Sequence, residues 1–371
     1  MNDMKIVPVE LGEDRYEICI GCGLLDEFGA RLKALLAPER VTVITDQNVS
    51  RLYARRVVDA LEAAGIGCKT LTIPPGEASK SWEMAQRLYD GLAQRRHTRT
   101  HPVVALGGGV VGDLAGFVAA TWMRGVPVVQ CPTSLEAAID AAVGGKTAIN
   151  HDAGKNLIGA FHQPRAVICD VDCMQTLDAR HFRAALAESI KHAVIRDPEF
   201  LDWHEAYLDD VLALEKGVVT SLIARNCEIK AAVVADDERE VLTGPPRRAA
   251  LNFGHTFGHA FETLPGIGLL HGEAVTLGTV AELELAVRHL GFPEADRNRV
   301  ESLLRRLQPS VKYDLADASG AVVEKMKLDK KVVSGVRFAI PDRLGQTVWF
   351  ENAAFDSLKA ALDRVIGFCC A

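Results

Sequence analysis

In the first half of the chain, short apolar runs rich in β-branched residues alternate with stretches in which apolar residues return every three or four positions. VTVIT (41–45), CKTLTI (68–73), PVVAL (102–106), VPVVQCP (126–132) and AVICDVD (166–172) predict buried strands, and ARRVVDALEAAG and SWEMAQRLYDGLAQR predict amphipathic helices between them. Strands and helices in alternation predict a parallel sheet wrapped by helices. Beyond about residue 177 the strand signals nearly vanish. Long helical patterns take over: RHFRAALAESIKHAVI, VVTSLIARNCEIKAAVVA, LNFGHTFGHAFETL, EAVTLGTVAELELAVRHLG and NRVESLLRRL. The pattern predicts an α/β domain over residues 1–177 and an all-α domain over residues 178–371, with no internal repeat or low-complexity linker.

Length agrees with two domains, since 371 residues exceed the roughly 250–300 at which a single core stops growing. A formal net charge of −7 without basic blocks gives nothing for a polyanion to displace counterions from, so nucleic-acid binding is not expected. The opening MNDMKIVPVELGEDRYEI lacks the pattern of a signal peptide, and no apolar run reaches the roughly 18–20 residues of a membrane span. A cytoplasmic protein with no membrane partner is expected. The nine cysteines fit that expectation as reduced thiols. Cys19 and Cys22 form a CxxC, but in YEICIGCGLL it reads as a strand entering a glycine turn, and no second pair follows at zinc-ribbon spacing.

Chemistry enters with GGGVVGDLAGF, directly after PVVAL. Gly107, Gly109 and Gly112 satisfy GxGxxG at a strand-to-helix junction, where bare amides and a helix N-terminus suit a pyrophosphate. A standard dinucleotide fold has an acid at the end of the following strand. Here Gln130 and Cys131 stand there, and the acid able to take ribose hydroxyls is Asp46, at the end of VTVITD. The loop is thus a nucleotide loop of variant type in a Rossmann-like α/β domain, the alternative being a tight turn with no ligand.

His255 and His259 fall on one helix face, and His271, Glu188 and Lys191 lie in LLHGEAV and ALAESIK. Two or three imidazoles and a carboxylate can hold zinc with an open position; the alternative is ordinary packing. His162, His181 and His192 read as structural. Between Arg124 and Asn156, the side chains of Asp140, Lys146, Lys155 and Asn156 occupy a glycine-rich stretch with little that a core would take. Solvated lysines in a loop, or an anion site for phosphate or carboxylate, are the two readings. Nucleotide loop, metal set and anion cluster together predict a redox enzyme acting on a phosphorylated polyol.

GGGVVGDLAGF, PTSLEAAIDAAVGGKTAINHDAGKNLIGAF, LNFGHTFGHA, LHGEAV and KLDKK, in this order and spacing, closely resemble the 3-dehydroquinate synthases, members of the sugar phosphate cyclase family. The likeness runs from about Asp46 through Lys331. It implies a carbon–oxygen lyase that uses NAD and Zn2+ (or Co2+). The reaction takes 3-deoxy-D-arabino-heptulosonate 7-phosphate to 3-dehydroquinate and phosphate through transient oxidation, phosphate elimination, re-reduction and intramolecular aldol closure, a step of the shikimate pathway. It also implies an active site between the two domains and a homodimer.

Residue by residue, the resemblance implies metal ligands at Glu188, His255 and His271, leaving His259 beside the substrate. Asp46, Asn48, Glu77, Lys80, Gly108 and Gly109 match NAD-contacting positions, as do Asp113, Thr133, Ser134 and Thr176. Asp140, Lys146, Lys155, Asn156 and Lys191 match the substrate pocket, together with Lys230, Arg248, Asn252, His259 and Lys330. Arg124 matches an arginine that reaches across the dimer. Three departures stand out: AAVGGK where the family usually has SSVGGK, ALAE where it has GLAE, and VLTGPPRR, which lengthens the loop before Arg248. Counting back seven residues from His255 gives Arg248 as the pocket arginine, with Arg247 the alternative. Lys146, Lys155, Lys230, Arg248 and Lys330 would bring five positive charges into one cleft, an arrangement that calls for anions.

An amino-dehydroquinate synthase would share almost every one of these residues. Valiolone-type or deoxy-inosose cyclases would lose cations such as Lys146 or Arg248. A polyol dehydrogenase of the glycerol-dehydrogenase type would share the architecture but release NADH, and a non-catalytic paralogue would lack intact ligand positions.

Overall fold

The Val- and Ile-rich runs become strands because each has both faces to bury: every residue of Val103–Gly107, Val128–Pro132 and Ala166–Asp170 is buried. The computed structural model describes residues 4–12, 14–240, 244–264, 266–310, 322 and 337–370. The chain forms two units, one holding the sequence up to Leu177 together with Leu214–Ala235, the other Asp178–Ala213 and the sequence from Asp236 onward.

In the first unit the strands are β1 (Lys5–Val9), β2 (Tyr16–Gly21), β3 (Arg40–Asp46), β4 (Gly67–Ile73), β5 (Val103–Gly107), β6 (Val128–Pro132), β7 (Lys146–His151), β8 (Gly154–Phe161) and β9 (Ala166–Asp170). Seven of them form one sheet in the order β1-β2-β9-β6-β5-β3-β4. All neighbours are parallel except β1 and β2. The wrapping helices are α1 (Phe28–Leu36), α2 (Gln47–Val49), which runs through Ser50–Ala54 into α3 (Arg55–Ala63), α4 (Trp82–Gln94) and α5 (Gly109–Thr121). Ser81 starts α4 by accepting the Met84 N–H at 3.2 Å.

The glycine-rich stretch that carries Lys146 and Lys155 reads from sequence as a loop with little for a core. It folds instead as the antiparallel hairpin β7–β8, with Lys146 opposite Phe161 and Ile149 opposite Ile158. Ile149 is wholly buried in the sheet–helix core and Ile158 packs against it. The hairpin lies close to α5 because Gly116 has no side chain: a Cβ there would come within 2.4 Å of Thr147 Cγ2.

The first unit also gains α8 (Lys216–Asp236), which a single break after residue 177 assigns elsewhere. The reason is packing. Cys227 Sγ donates to the Ala138 carbonyl at 3.3 Å, and Lys230 reaches Asp140.

The second unit is built on α6 (Ala179–Arg196), α7 (Pro198–Leu212), α9 (His255–Glu262), α10 (His271–Leu290), α11 (Glu294–Arg306) and a final helix, Phe355–Cys370. Asp178 caps α6, and Asp197 with Pro198 starts α7. α10 is buried along all of Gly272–Ala286, so it is the core about which the rest packs. One feature breaks the helical character expected there, a hairpin of β10 (Arg337–Arg343) and β11 (Gln346–Glu351). Among the described residues no helix is long and apolar enough to cross a membrane, and all nine cysteines are free thiols.

Candidate functional site

In the first unit the sheet adds strands in two directions from one point. From β3 the chain goes outward to β4, then back past β3 to β5 and on to β6 and β9. Open α/β sheets take ligands outside the carboxyl ends of the strands at such a switch point. Asp46 ends β3 and Gly107 ends β5, so the candidate acid and the glycine loop flank it. Asp46 Oδ1 accepts the N–H groups of Asn48 at 2.8 Å and Val49 at 3.0 Å, and Oδ2 takes part in neither bond.

The loop glycines are of two kinds. A Cβ on Gly107 would come within 2.6 Å of Val111 Cβ, so packing alone excludes a side chain there, whereas one on Gly112 would meet only the end of the Gln130 side chain, with Oε1 at 2.9 Å. Gly108 caps α5 and Gly109 begins it. A Cβ on Gly109 would meet nothing nearer than Ala141 Cβ at 3.5 Å. The fold does not demand glycine at 109, whereas a ligand lying on the bare amides does. Beside the loop, Thr133 donates its N–H to the Gly107 carbonyl at 3.0 Å, and Ser134 Oγ accepts from Ala137 at 3.3 Å. Thr176 shares a hydrogen bond with the Tyr53 hydroxyl.

Lys80 Nζ joins Asp113 at 2.7 Å, donates to Asn156 Oδ1, and lies 3.8 Å from Glu77. Burial pushes the Asp113 carboxyl up, and Lys80 opposes that rise. Asn150 closes the cluster, donating to Glu77 at 2.7 Å and accepting the Asn156 N–H at 2.9 Å. Four residues picked from sequence are thus one hydrogen-bonded group. The fifth, Asn150, carries no signal that separates it from any other polar residue in a strand.

Lys230 donates to Asp140, to its carbonyl and to Oδ1 at 2.6 Å from the latter, and so has its counter-charge. Lys146, Lys155 and Arg124 are exposed. Lys330 and the rest of KLDKK lie outside the described residues.

In the second unit α6 supplies Glu188 and Lys191, α9 supplies His255 and His259, and α10 begins at His271. Glu188 is 1% exposed, and its Oε1 stands 3.4 Å from Nε2 of His255 and 3.4 Å from Nε2 of His271. That is long for a charge-assisted hydrogen bond. It matches the edge of a tetrahedron whose donors sit about 2.1 Å from a central zinc, which is about 3.4 Å. Donor atoms of all three residues lie within 4.8 Å of one another. The His259 ring is beside this group, its centroid 5.3 Å from that of His255 and 6.2 Å from that of His271.

Protonation suits a cation as well. Burial alone would push the Glu188 carboxyl up, but the Lys191 ammonium against it and the neighbouring imidazoles hold it well below the usual range. Burial, then Lys191, pushes the His255 imidazole down, so it is neutral at pH 7. His255 Nδ1 stands 3.1 Å from the Phe253 carbonyl; as the donor there, it leaves the Nε2 lone pair facing Glu188. His271 Nδ1 faces Glu262 Oε2 at 3.4 Å. Glu262 was legible in principle, since it continues the stripe of His255 and His259 at the next helical turn.

Of the remaining candidates in this unit, Arg248 is buried and donates to the Glu238 carbonyl, and Asn252 donates to Glu240 at 3.1 Å. Arg247, the alternative, is exposed and only reaches the Asp236 carbonyl at 3.5 Å.

Comparison with known proteins gives a consistent result. The model of the 3-dehydroquinate synthase N-terminal family matches residues 70–184, and that of the 3-dehydroquinate synthase C-terminal family matches residues 185–332. A 3-dehydroquinate synthase of Symbiobacterium thermophilum is 45% identical over 363 residues, covering 96% of this chain and 99% of that protein. One of Azotobacter vinelandii is 44% identical over 362 residues, with 97% of each covered. Among solved structures, the 2-epi-5-epi-valiolone synthase of Streptomyces hygroscopicus, with NAD+ and Zn2+ bound, matches with a TM-score of 0.82 at 26% identity, covering 95% of this chain and 97% of that one.

Proposed function

The chain belongs to the 3-dehydroquinate synthase family, and from that premise we propose how its residues carry out the conversion of 3-deoxy-D-arabino-heptulosonate 7-phosphate to 3-dehydroquinate and phosphate. The observation that carries the reading is the set Glu188, His255 and His271, a charged carboxylate and two imidazoles at the spacing of one tetrahedral cation. When bound, the metal supplies a Lewis acid and NAD+ a reversible hydride acceptor.

The chain's own residues do the rest. Gly108 and Gly109 let a pyrophosphate lie on the first turn of α5, and Asp46 Oδ2 receives ribose hydroxyls. Asn48, Glu77, Lys80, Asp113, Thr133, Ser134 and Thr176 complete the NAD site. His259, beside the metal set but outside it, orients the substrate phosphate together with Asn156 and Lys155. Lys146, Lys191, Lys230, Arg248, Asn252 and Lys330 hold the anionic substrate, and Asp140 fixes Lys230. Ring opening and intramolecular aldol closure follow, for which the enzyme chiefly supplies a template conformation.

The enzyme acts in the cytoplasm, where nine thiols remain reduced, and as a homodimer in which Arg124 serves the partner's site. Arg124 sits on an exposed turn with φ +67°, after Met123 at φ +50°, a backbone strain that calls for a reason.

Purified protein given the heptulosonate phosphate, NAD+ and Zn2+ is expected to release phosphate and dehydroquinate in equal amounts. Chelation should stop both, and Zn2+ or Co2+ should restore them. Full turnover in metal-free protein would contradict the proposal.

A further inference from the structure

His255 and His271 can act as a pair only if the helices they begin are fixed against each other. Gly254, the residue before α9, has φ +79° and no side chain with which to cap the helix it precedes. The cap comes from α10 instead. Glu282, wholly buried, accepts the Gly254 N–H at 2.8 Å with one carboxylate oxygen, and the N–H groups of Thr256 and Phe257 at 3.1 and 3.4 Å with the other. Beside that cap the two backbones approach closely. A Cβ on Gly278, one turn before Glu282, would fall 1.8 Å from the Gly254 carbonyl.

We infer that Glu282 is a positioning residue for the metal site, holding the first turn of α9 on α10 so that His255 stays in register with His271 and Glu188. The physical argument is direct. A negative carboxylate at a helix N-terminus is favoured by the helix dipole, most strongly where it is buried. Three N–H groups shared between two oxygens fix the helix end in both rotation and translation, and His255 is the first residue of that helix. A buried carboxylate used only for stability would be an inefficient choice, because desolvation opposes it. Here it spans the two elements that carry the imidazoles.

The inference rests on the metal-site reading, and the test separates them. Co2+ affinity is measured by chelator competition, with the visible absorption of bound Co2+ as a second readout, in wild-type protein and in Glu282→Gln and Glu282→Asp. Gln keeps the length but turns an N–H2 group toward backbone donors, and Asp keeps the charge but withdraws it by one methylene. Partners that orient metal ligands are typically worth about 10- to 100-fold in metal affinity. Both variants should therefore bind Co2+ about 10- to 100-fold more weakly than wild type. Their visible spectra should be altered. Should one variant fail to fold, the other carries the measurement. If wild type binds no stoichiometric Co2+, the metal-site reading falls. If wild type binds it and a folded Glu282 variant matches both its affinity and its spectrum, only the role of Glu282 falls.

Discussion

A carboxylate held ionised by a lysine one helical turn away, facing an imidazole kept neutral by burial and by that same lysine, is a pair tuned for a cation. This gives the residues distinct expected behaviours. Replacing Glu188, His255 or His271 by Ala should lower bound metal in proportion, read by metal analysis after gel filtration. His259→Ala should keep its metal and lower kcat. Loss of metal from His259→Ala with retention in His271→Ala would reverse the assignment of ligands. The four-residue spacing of His255 and His259 is legible in the sequence as one helix face, but spacing alone allows either to be the ligand. What separates them is the direction from which Glu188 and His271 approach, a tertiary fact. The buried partners show the same limit. Lys230 reads as a free cation until Asp140, ninety residues away, is brought beside it, and Asn150 has no pattern at all.

Among the elements, those that bury both faces were the most legible. β3, β5, β6 and β9 follow from continuous apolar runs, and α5 from the glycines that open it. The hairpin β7–β8 was not, because its glycines and charged residues mimic a loop while Thr147, Ile149 and Ile158 alone carry the alternation. Helix α8 was legible as a helix, but its membership of the first unit depends on contacts through Cys227 and Lys230. The N-terminus of α5 gives a prediction at this scale. Gly109 lies in helical backbone with room for a methyl group, so Gly109→Ala should leave stability unchanged or raise it by about 0.4–1 kcal/mol. NAD+ binding, measured by calorimetry, should weaken at least about tenfold as the methyl group enters the space of the pyrophosphate. Unchanged NAD+ affinity in a folded Gly109→Ala protein would remove the glycine loop from the cofactor site.

For the whole molecule, the proposed dimer makes a quantitative claim. Arg124→Ala and His255→Ala homodimers should each be nearly inactive. If Arg124 serves the partner's site, each mixed dimer has one whole site, and random exchange of subunits should restore about a quarter of wild-type activity. If Arg124 serves its own subunit, mixing restores nothing. The central claim, however, is that oxidation is transient and NAD+ returns unchanged, and it separates a cyclase from a dehydrogenase built on related architecture. The direct measurement follows absorbance at the NADH band while protein carrying about one equivalent of NAD+ consumes an excess of the heptulosonate phosphate. Many equivalents of phosphate and dehydroquinate should form with no accumulation of NADH. Turnover that halts after one equivalent, with NADH formed in step with substrate consumed, would contradict the account.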